Sequence, residues 1–129
     1  QEPRPLAGGD RPIEFLGRIS DDELRSLYSN ALAVPFSPMR EDYGYVTLEA
    51  FASGKPVITC VDSGEAAAIV RDGITGRVVP PEPAAIASAI DSLANDRASA
   101  KRMGAAGEAW VHGLSWENVA RRLIEAAIA

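Results

Sequence analysis

Short apolar runs alternate along the chain with stretches whose apolar residues recur every three or four positions, the pattern of strands alternating with helices. Ile13-Glu14-Phe15-Leu16-Gly17 is too short for a helix and ends on glycine, which predicts a buried strand. Ser20-Asp21-Asp22-Glu23 then has capping-box spacing: the Ser20 hydroxyl can accept from the Glu23 amide while the Glu23 carboxylate reaches back. The helix it opens runs to Ser29 or Asn30, with Leu24, Leu27 and Tyr28 expected on its buried side. Ala31 to Phe36 is a second apolar run, interrupted by Pro35. After a loop from Ser37 to Tyr43, the stretch Tyr45 to Ser53 predicts a helix closed by Gly54 as a left-handed cap, and small Ala50, Ala52 and Ser53 are expected to let it approach the sheet. Val57 to Val61 is the next strand, Glu65 to Val70 a short helix, and Arg77 to Val79 a last strand behind turn signals at Asp72-Gly73 and Thr75-Gly76. Further helices are predicted over Pro83 to Ala94, Ala98 to Val111 and Trp116 to Ile128, the last capped by Ser115 and striped by Trp116, Val119, Ala120, Leu123, Ala127 and Ile128.

This alternation predicts an α/β fold: an open, mostly parallel sheet of about four strands with flanking helices, whose ligands bind at the carboxyl ends of the strands. The loops after Gly17, Phe36 and Cys60 therefore become the places to look for chemistry. Residues 1–12, punctuated by Pro3, Pro5, Gly8, Gly9 and Pro12, read as a connector, which leaves residues 13–129 for the domain.

Composition narrows the function. A chain of 129 residues is one domain, and its 18 acidic against 13 basic residues leave a net charge of −5, so no overall positive field draws in a nucleic acid polymer. No apolar run approaches the ~20 residues that span a bilayer. One cysteine cannot close an internal disulfide, and one histidine beside it cannot complete a Cys/His zinc site, a composition suited to a reducing cytoplasm. The opening Gln1-Glu2-Pro3, with neither Met nor a basic-then-apolar leader, raises the expectation of a piece of something longer.

The loop Arg40-Glu41-Asp42-Tyr43-Gly44 opens directly into the helix that carries Glu49. First-turn amides around Gly44, Tyr45 and Val46 can bind a phosphate without local basic residues. Glu49, one turn in, can accept hydrogen bonds from neighbouring sugar hydroxyls, so a sugar joined to a phosphate meets both demands. The plainer alternative is that Glu41 and Asp42 complement the helix dipole and Glu49 is merely solvated. Arg18 and Lys55 are the basic groups near the candidate loops, and Lys55 also suits a helix C-terminus. His112 and Cys60 read as structural, Trp110 and Trp116 as anchors of the C-terminal helices, and Arg121-Arg122 as a solvated face.

The segment Glu41-Asp42-Tyr43-Gly44-Tyr45-Val46-Thr47-Leu48-Glu49-Ala50-Phe51-Ala52-Ser53-Gly54-Lys55-Pro56-Val57 resembles the E-x7-E signature of retaining nucleotide-sugar glycosyltransferases of family 4, which have the GT-B fold. Phe15-Leu16-Gly17-Arg18-Ile19, Asp72-Gly73-Ile74-Thr75-Gly76 and Ser115-Trp116-Glu117 resemble the flanking segments of that family's C-terminal, Rossmann-like domain, so the likeness covers about residues 13 to 128. The resemblance implies that Glu49 binds the ribose hydroxyls of a nucleotide-diphosphate sugar donor and that Glu41 is catalytic beside the donor sugar. Tyr43, Gly44, Tyr45 and Val46 would contact sugar and diphosphate, and Gly17, Arg18 and Ile19 would border the base. Transfer to an acceptor with retention, without metal or other cofactor, is the implied activity, in a cytoplasmic enzyme whose full-length form could be peripheral to a membrane.

The chain departs from the family pattern in two respects. The family's Arg/Lys pair that neutralises the leaving diphosphate comes from a first βα unit that residues 1–12 are not expected to supply, and the N-terminal domain that holds the acceptor is expected to lie outside these residues, so this polypeptide alone is expected not to turn over. After Asp62-Ser63-Gly64 the family continues with a second Gly, often Pro, and then Glu, where this chain has Glu65-Ala66-Ala67-Ala68. Two other classes fit the same residues: a non-catalytic binding or self-assembly module that forms a homo-oligomer through an exposed sheet edge, and another GT-B enzyme such as a nucleotide-sugar epimerase or a phosphorylase.

Overall fold

The computed structural model describes residues 13–40, 42 and 44–128. The expected connector over residues 1–12, and the candidate site residues Glu41 and Tyr43, lie outside the described residues. In chain order the elements are α1 (Asp21–Asn30), β1 (Val34–Pro35), α2 (Tyr45–Ala52), β2 (Val57–Cys60), α3 (Glu65–Ile69), β3 (Gly76–Val79), α4 (Pro83–Asn95), α5 (Arg97–His112) and α6 (Trp116–Ile128). The strands form a parallel, three-stranded sheet in the order β1-β2-β3, with Val34 opposite Val57 and Val57 opposite Gly76.

The core lies on both faces of β2. Ile58 and Cys60 point to one face, where Val79, Ala89, Leu93, Ala100 and Met103 from β3, α4 and α5 close over them. Val57 points to the other, against Ala50, Phe51 and Val70. Alternation of side chains across the strand puts Thr59 on this second face, and its Oγ1 is buried without a hydrogen-bond partner among the described residues. Glycines set how closely the layers meet. A Cβ on Gly104 of α5 would overlap the Gly54 carbonyl at the end of α2, and one on Gly107 would run into the Phe51 ring.

Local signals set the element ends as expected. Ser20 caps α1 through a complete capping box, with the Glu23 amide donating to Ser20 Oγ at 3.2 Å and the Ser20 amide to Glu23 Oε2 at 2.9 Å. Gly54 (φ 69°) turns the chain out of α2, and Ser115 Oγ accepts the Asn118 amide at the start of α6. Asp72 Oδ1 takes the amide of Val78 and Nε of Arg77, both at 3.0 Å, and pins the turn that leads into β3. The Val78 hydrogen bond, aided by the Arg77 pair, holds the Asp72 carboxyl below the usual carboxylate range against the opposing effect of burial.

Where tertiary contacts decide, the structure corrects the sequence reading. The expected strand Ile13–Gly17 is not formed, so the sheet has three strands where about four are expected. The amides of Val34 and Phe36 both point to β2, donating to Pro56 and Ile58 carbonyls, which leaves the outer edge of a two-residue strand with Pro35 and no donor. Gly17 (φ 62°) then turns the chain out of extended geometry, and Ile13, Phe15 and Leu16 are exposed. Leu24 and Leu27 are not on a buried side: α1 buries none of its residues, and Tyr28 alone of the three packs against the Phe51 cluster. On α2, Ala50 faces the sheet with Thr47 and Phe51, whereas Ala52 and Ser53 are exposed. Trp110 meets Phe51 edge-to-face with centroids 6.0 Å apart, as an anchor should, but Trp116 is 89% exposed and anchors nothing. None of α6 is buried, and Leu123, Ile124 and Ile128 stand in solvent with it.

The glycine contact between α5 and α2 gives a direct test. Gly104→Ala should destabilise the chain by about 1–3 kcal/mol in chemical denaturation, because backbone rather than a flexible side chain must yield, whereas Ala105→Ser on the exposed side of the same helix should stay within about 0.5 kcal/mol.

Candidate functional site

All three strands are parallel, so the connections that leave their carboxyl ends collect along one edge of the sheet. Two of these connections touch there. The Arg40 amide donates to the Asp62 carbonyl at 3.1 Å, joining the loop after β1 to the loop after β2. Gly44, the N-cap of α2, is buried, and a Cβ built on it would meet Ala66 at the start of α3 at 3.6 Å, an ordinary van der Waals contact. Its backbone is left-handed (φ 59°, ψ 44°), and it has no side chain with which to satisfy the amides of the first turn. Tyr45 is exposed, Val46 is half-buried, and the Thr47 amide donates to the Gly44 carbonyl at 2.9 Å.

A little over one turn further along α2, Glu49 is exposed on the side that faces α1. Leu24, Arg25 and Tyr28 of α1 and Glu49 and Ala52 of α2 line an open groove between the two helices. Within it the Tyr28 hydroxyl donates to Glu49 Oε2 at 2.9 Å. Burial, then the Glu49 hydrogen bond and charge, push the Tyr28 phenol from its ordinary 10.0 up to about 12. The arrangement offers a carboxylate with accepting lone pairs to spare and a helix start whose N-cap is a glycine.

The remaining sequence-predicted residues are only partly assembled around Glu49. Gly17 and Arg18 are exposed and Ile19 is half-buried in the segment leading into α1, and among the described residues no hydrogen bond or ion pair joins them to Glu49. Lys55 is not near the ligand edge. It follows α2 at the amino end of β2, where it lines a different cavity with Arg97 and Lys101, so its place is the helix C-terminus. Ser63 is fully buried and its hydroxyl accepts the Cys60 amide at 3.3 Å, a structural use. Cys60 is itself buried, and burial raises its thiol above the ordinary value.

Two residues of interest escaped the sequence reading. Arg40 is an exposed cation in the loop after β1, and its φ of 53° is unusual for a residue with a Cβ. Tyr28 read as packing because its spacing from Leu24 marks a helix face. Its hydroxyl finds an acceptor 21 residues away, which no local pattern encodes.

Comparison with known proteins gives the class to which this edge belongs. Residues 7–110 match the family model described as glycosyl transferases group 1, and the chain belongs to that family. It is 37% identical over 114 residues to a D-inositol 3-phosphate glycosyltransferase of Nocardia farcinica, covering 88% of this chain and 25% of that protein. A glycogen synthase of Mycobacterium tuberculosis is 31% identical over 120 residues, covering 92% of this chain and 29% of the relative. Among solved structures, sucrose-phosphate synthase from Thermosynechococcus elongatus superposes with a TM-score of 0.75 at 34% identity, covering 88% of this chain and 29% of that one. The architecture is thus a Rossmann-like fragment of the GT-B kind, and the chain spans between a quarter and a third of the length of these relatives. Among the described residues no helix is long and apolar enough to cross a membrane.

The Tyr28–Glu49 pair should be visible in the alkaline titration. Ultraviolet absorbance should show a phenol ionisation near pH 12 that disappears in Tyr28→Phe and moves only part of the way down in Glu49→Gln, because burial, the largest cause of the shift, remains. The unfolded phenol ionises near 10 and the folded one near 12, so the unfolded state holds fewer protons in that window. Tyr28 therefore contributes stability below pH 10 that is lost as pH rises toward 12.

Proposed function

We propose that the chain is the donor-binding portion of a retaining glycosyltransferase of family 4, with Glu41 and Glu49 as the two acids of an E-x7-E motif and a nucleotide-diphosphate sugar as donor. The observation that carries this reading is the exposed Glu49 carboxylate, a little over a turn along α2 from its glycine N-cap at the carboxyl edge of a parallel sheet. A diphosphate at that helix start would be held by backbone amides and by the positive end of the helix dipole. A ribose attached to it would then bring two neighbouring hydroxyls toward a carboxylate that can accept from both. Glu41 would act beside the donor sugar, with Tyr43 and Gly44 between the two acids in sequence. The base would lie toward Gly17, Arg18 and Ile19, and the acceptor would be held by a separate N-terminal domain. The relatives' names, which include an inositol phosphate glycosyltransferase and a glycogen synthase, support sugar transfer in general and point to no one acceptor.

The test is an amide-resolved NMR titration of the chain with UDP-, GDP- and ADP-sugars, repeated on Glu49→Ala. Glu49 is exposed, so the variant should keep the fold, and it should bind the preferred donor on the order of tenfold or more weakly because charge-assisted hydrogen bonds are lost. Shifts are expected at residues 17–19 and 44–49 with one base and not the others. Equal affinity in the folded variant would sink the reading.

A further inference from the structure

Glu49 is the exposed end of a flexible side chain, yet one of its oxygens is already held. Tyr28 Oη lies 2.9 Å from Glu49 Oε2, and the phenol ring belongs to the half-buried fringe of the Ala50, Phe51, Val57 and Val70 cluster. The donor is therefore anchored in the core while the acceptor stands in solvent. We propose that Tyr28 is a positioning residue for Glu49: its hydroxyl fixes one carboxylate oxygen so that the other faces the hydroxyls of a ribose in a set orientation. This inference rests on the reading of Glu49 as a donor-binding residue.

The chemistry of the pair favours this role over simple packing. A phenol has one proton to donate, so it takes one of the roughly four lone-pair sites of the carboxylate and leaves enough for two hydroxyls. A guanidinium in its place would engage both oxygens in a fork and cancel the charge that strengthens bonds to a diol. A leucine there would fill the same space against the Phe51 cluster and leave the carboxylate free to turn. Pre-ordering matters because an exposed glutamate must otherwise give up rotamer freedom when the ligand arrives. Tyr28 also sits in the last turn of α1, the helix that follows Gly17, Arg18 and Ile19, so the same bond ties Glu49 to the element carrying the candidate base-side segment.

The experiment is calorimetric titration of the chain with UDP, GDP and ADP, then with the 2′-deoxy form of whichever binds, for wild type, Tyr28→Phe, Glu49→Gln and the double variant. Tyr28→Phe keeps the ring and its packing against the Phe51 cluster, so it should stay folded and melt only slightly below wild type, as the loss of one exposed hydrogen bond requires. It should weaken the ribonucleotide by about five- to tenfold, weaken the 2′-deoxy form less, and have no further effect in the Glu49→Gln background, the non-additivity expected of residues acting through one another. Carbon-13 relaxation at Glu49 Cγ supplies a readout free of ligand: an ordered side chain in wild type and a mobile one in Tyr28→Phe. Wild-type affinity in Tyr28→Phe, equal losses with ribose and deoxyribose in both backgrounds, or a mobile Cγ in wild type would overturn the positioning role while leaving the donor-binding reading intact. No binding of any nucleotide by wild type, or unchanged binding by Glu49→Gln, would overturn the donor-binding reading and the positioning role together.

Discussion

A strand covered on both faces and hydrogen-bonded along both edges, as β2 is, leaves its neighbours little freedom. All four of its residues are buried, with helices α4 and α5 over Ile58 and Cys60 and α2 over Val57. Parallel partners cannot be joined to it by tight turns, so α2 and α3 must carry the chain back from the carboxyl edge to the amino edge before the next strand begins. Every helix start in these crossovers therefore falls on the same side of the sheet. The juxtaposition of Gly44 with Ala66, and of Arg40 with Asp62, follows from that topology.

The same constraint explains the glycines of α5. This helix must pack its Ala100 and Met103 against β2 and β3 on one side while lying across the end of α2 on another. At Gly104 and Gly107 no side chain fits between it and the Gly54 carbonyl or the Phe51 ring. A close-packed interior transmits a misfit of even one methyl group. These close approaches accordingly fall where the end of α2 meets α5, at the opposite end of α2 from Gly44.

How far the sequence could be read depends on the range of the interaction. Ser20 with Glu23, Gly54 after α2 and Ser115 with Asn118 are contacts within a few residues, and each marks its element end in the chain itself. The alternation of strand and helix, and Glu49 one turn into a helix opened by Gly44, are equally local and equally legible. Ile13–Gly17, Leu24, Leu27 and Trp116 carry the right residue types for burial, but burial needs a partner surface, and Pro35 leaves the outer edge of β1 with no donor to offer the first of them. Tyr28 is the instructive case. Its ring obeys the helix periodicity, while its hydroxyl depends on where α2 lies, which only the crossover geometry decides.

Helix α1 shows how these ranges meet at the site. Ten residues are too few for a stable isolated helix in water, so its capping box and its Asp22–Arg25 pair can sustain it only in part. With no buried residue of its own, it meets the body of the domain through contacts that include the half-buried Tyr28 ring against the Phe51 cluster and the Tyr28 hydrogen bond to Glu49. The carboxylate is thus at once an attachment point for α1 and the leading candidate for the ligand. On the proposed reading, a ligand that accepts the geometry imposed by Tyr28 would strengthen the hold of α1 on α2, and one that pulls Glu49 away would loosen it. Linkage requires the effect to run equally in the other direction: for a ligand of the first kind the docking of α1 and the occupancy of Glu49 would rise together, and for one of the second kind they would oppose each other.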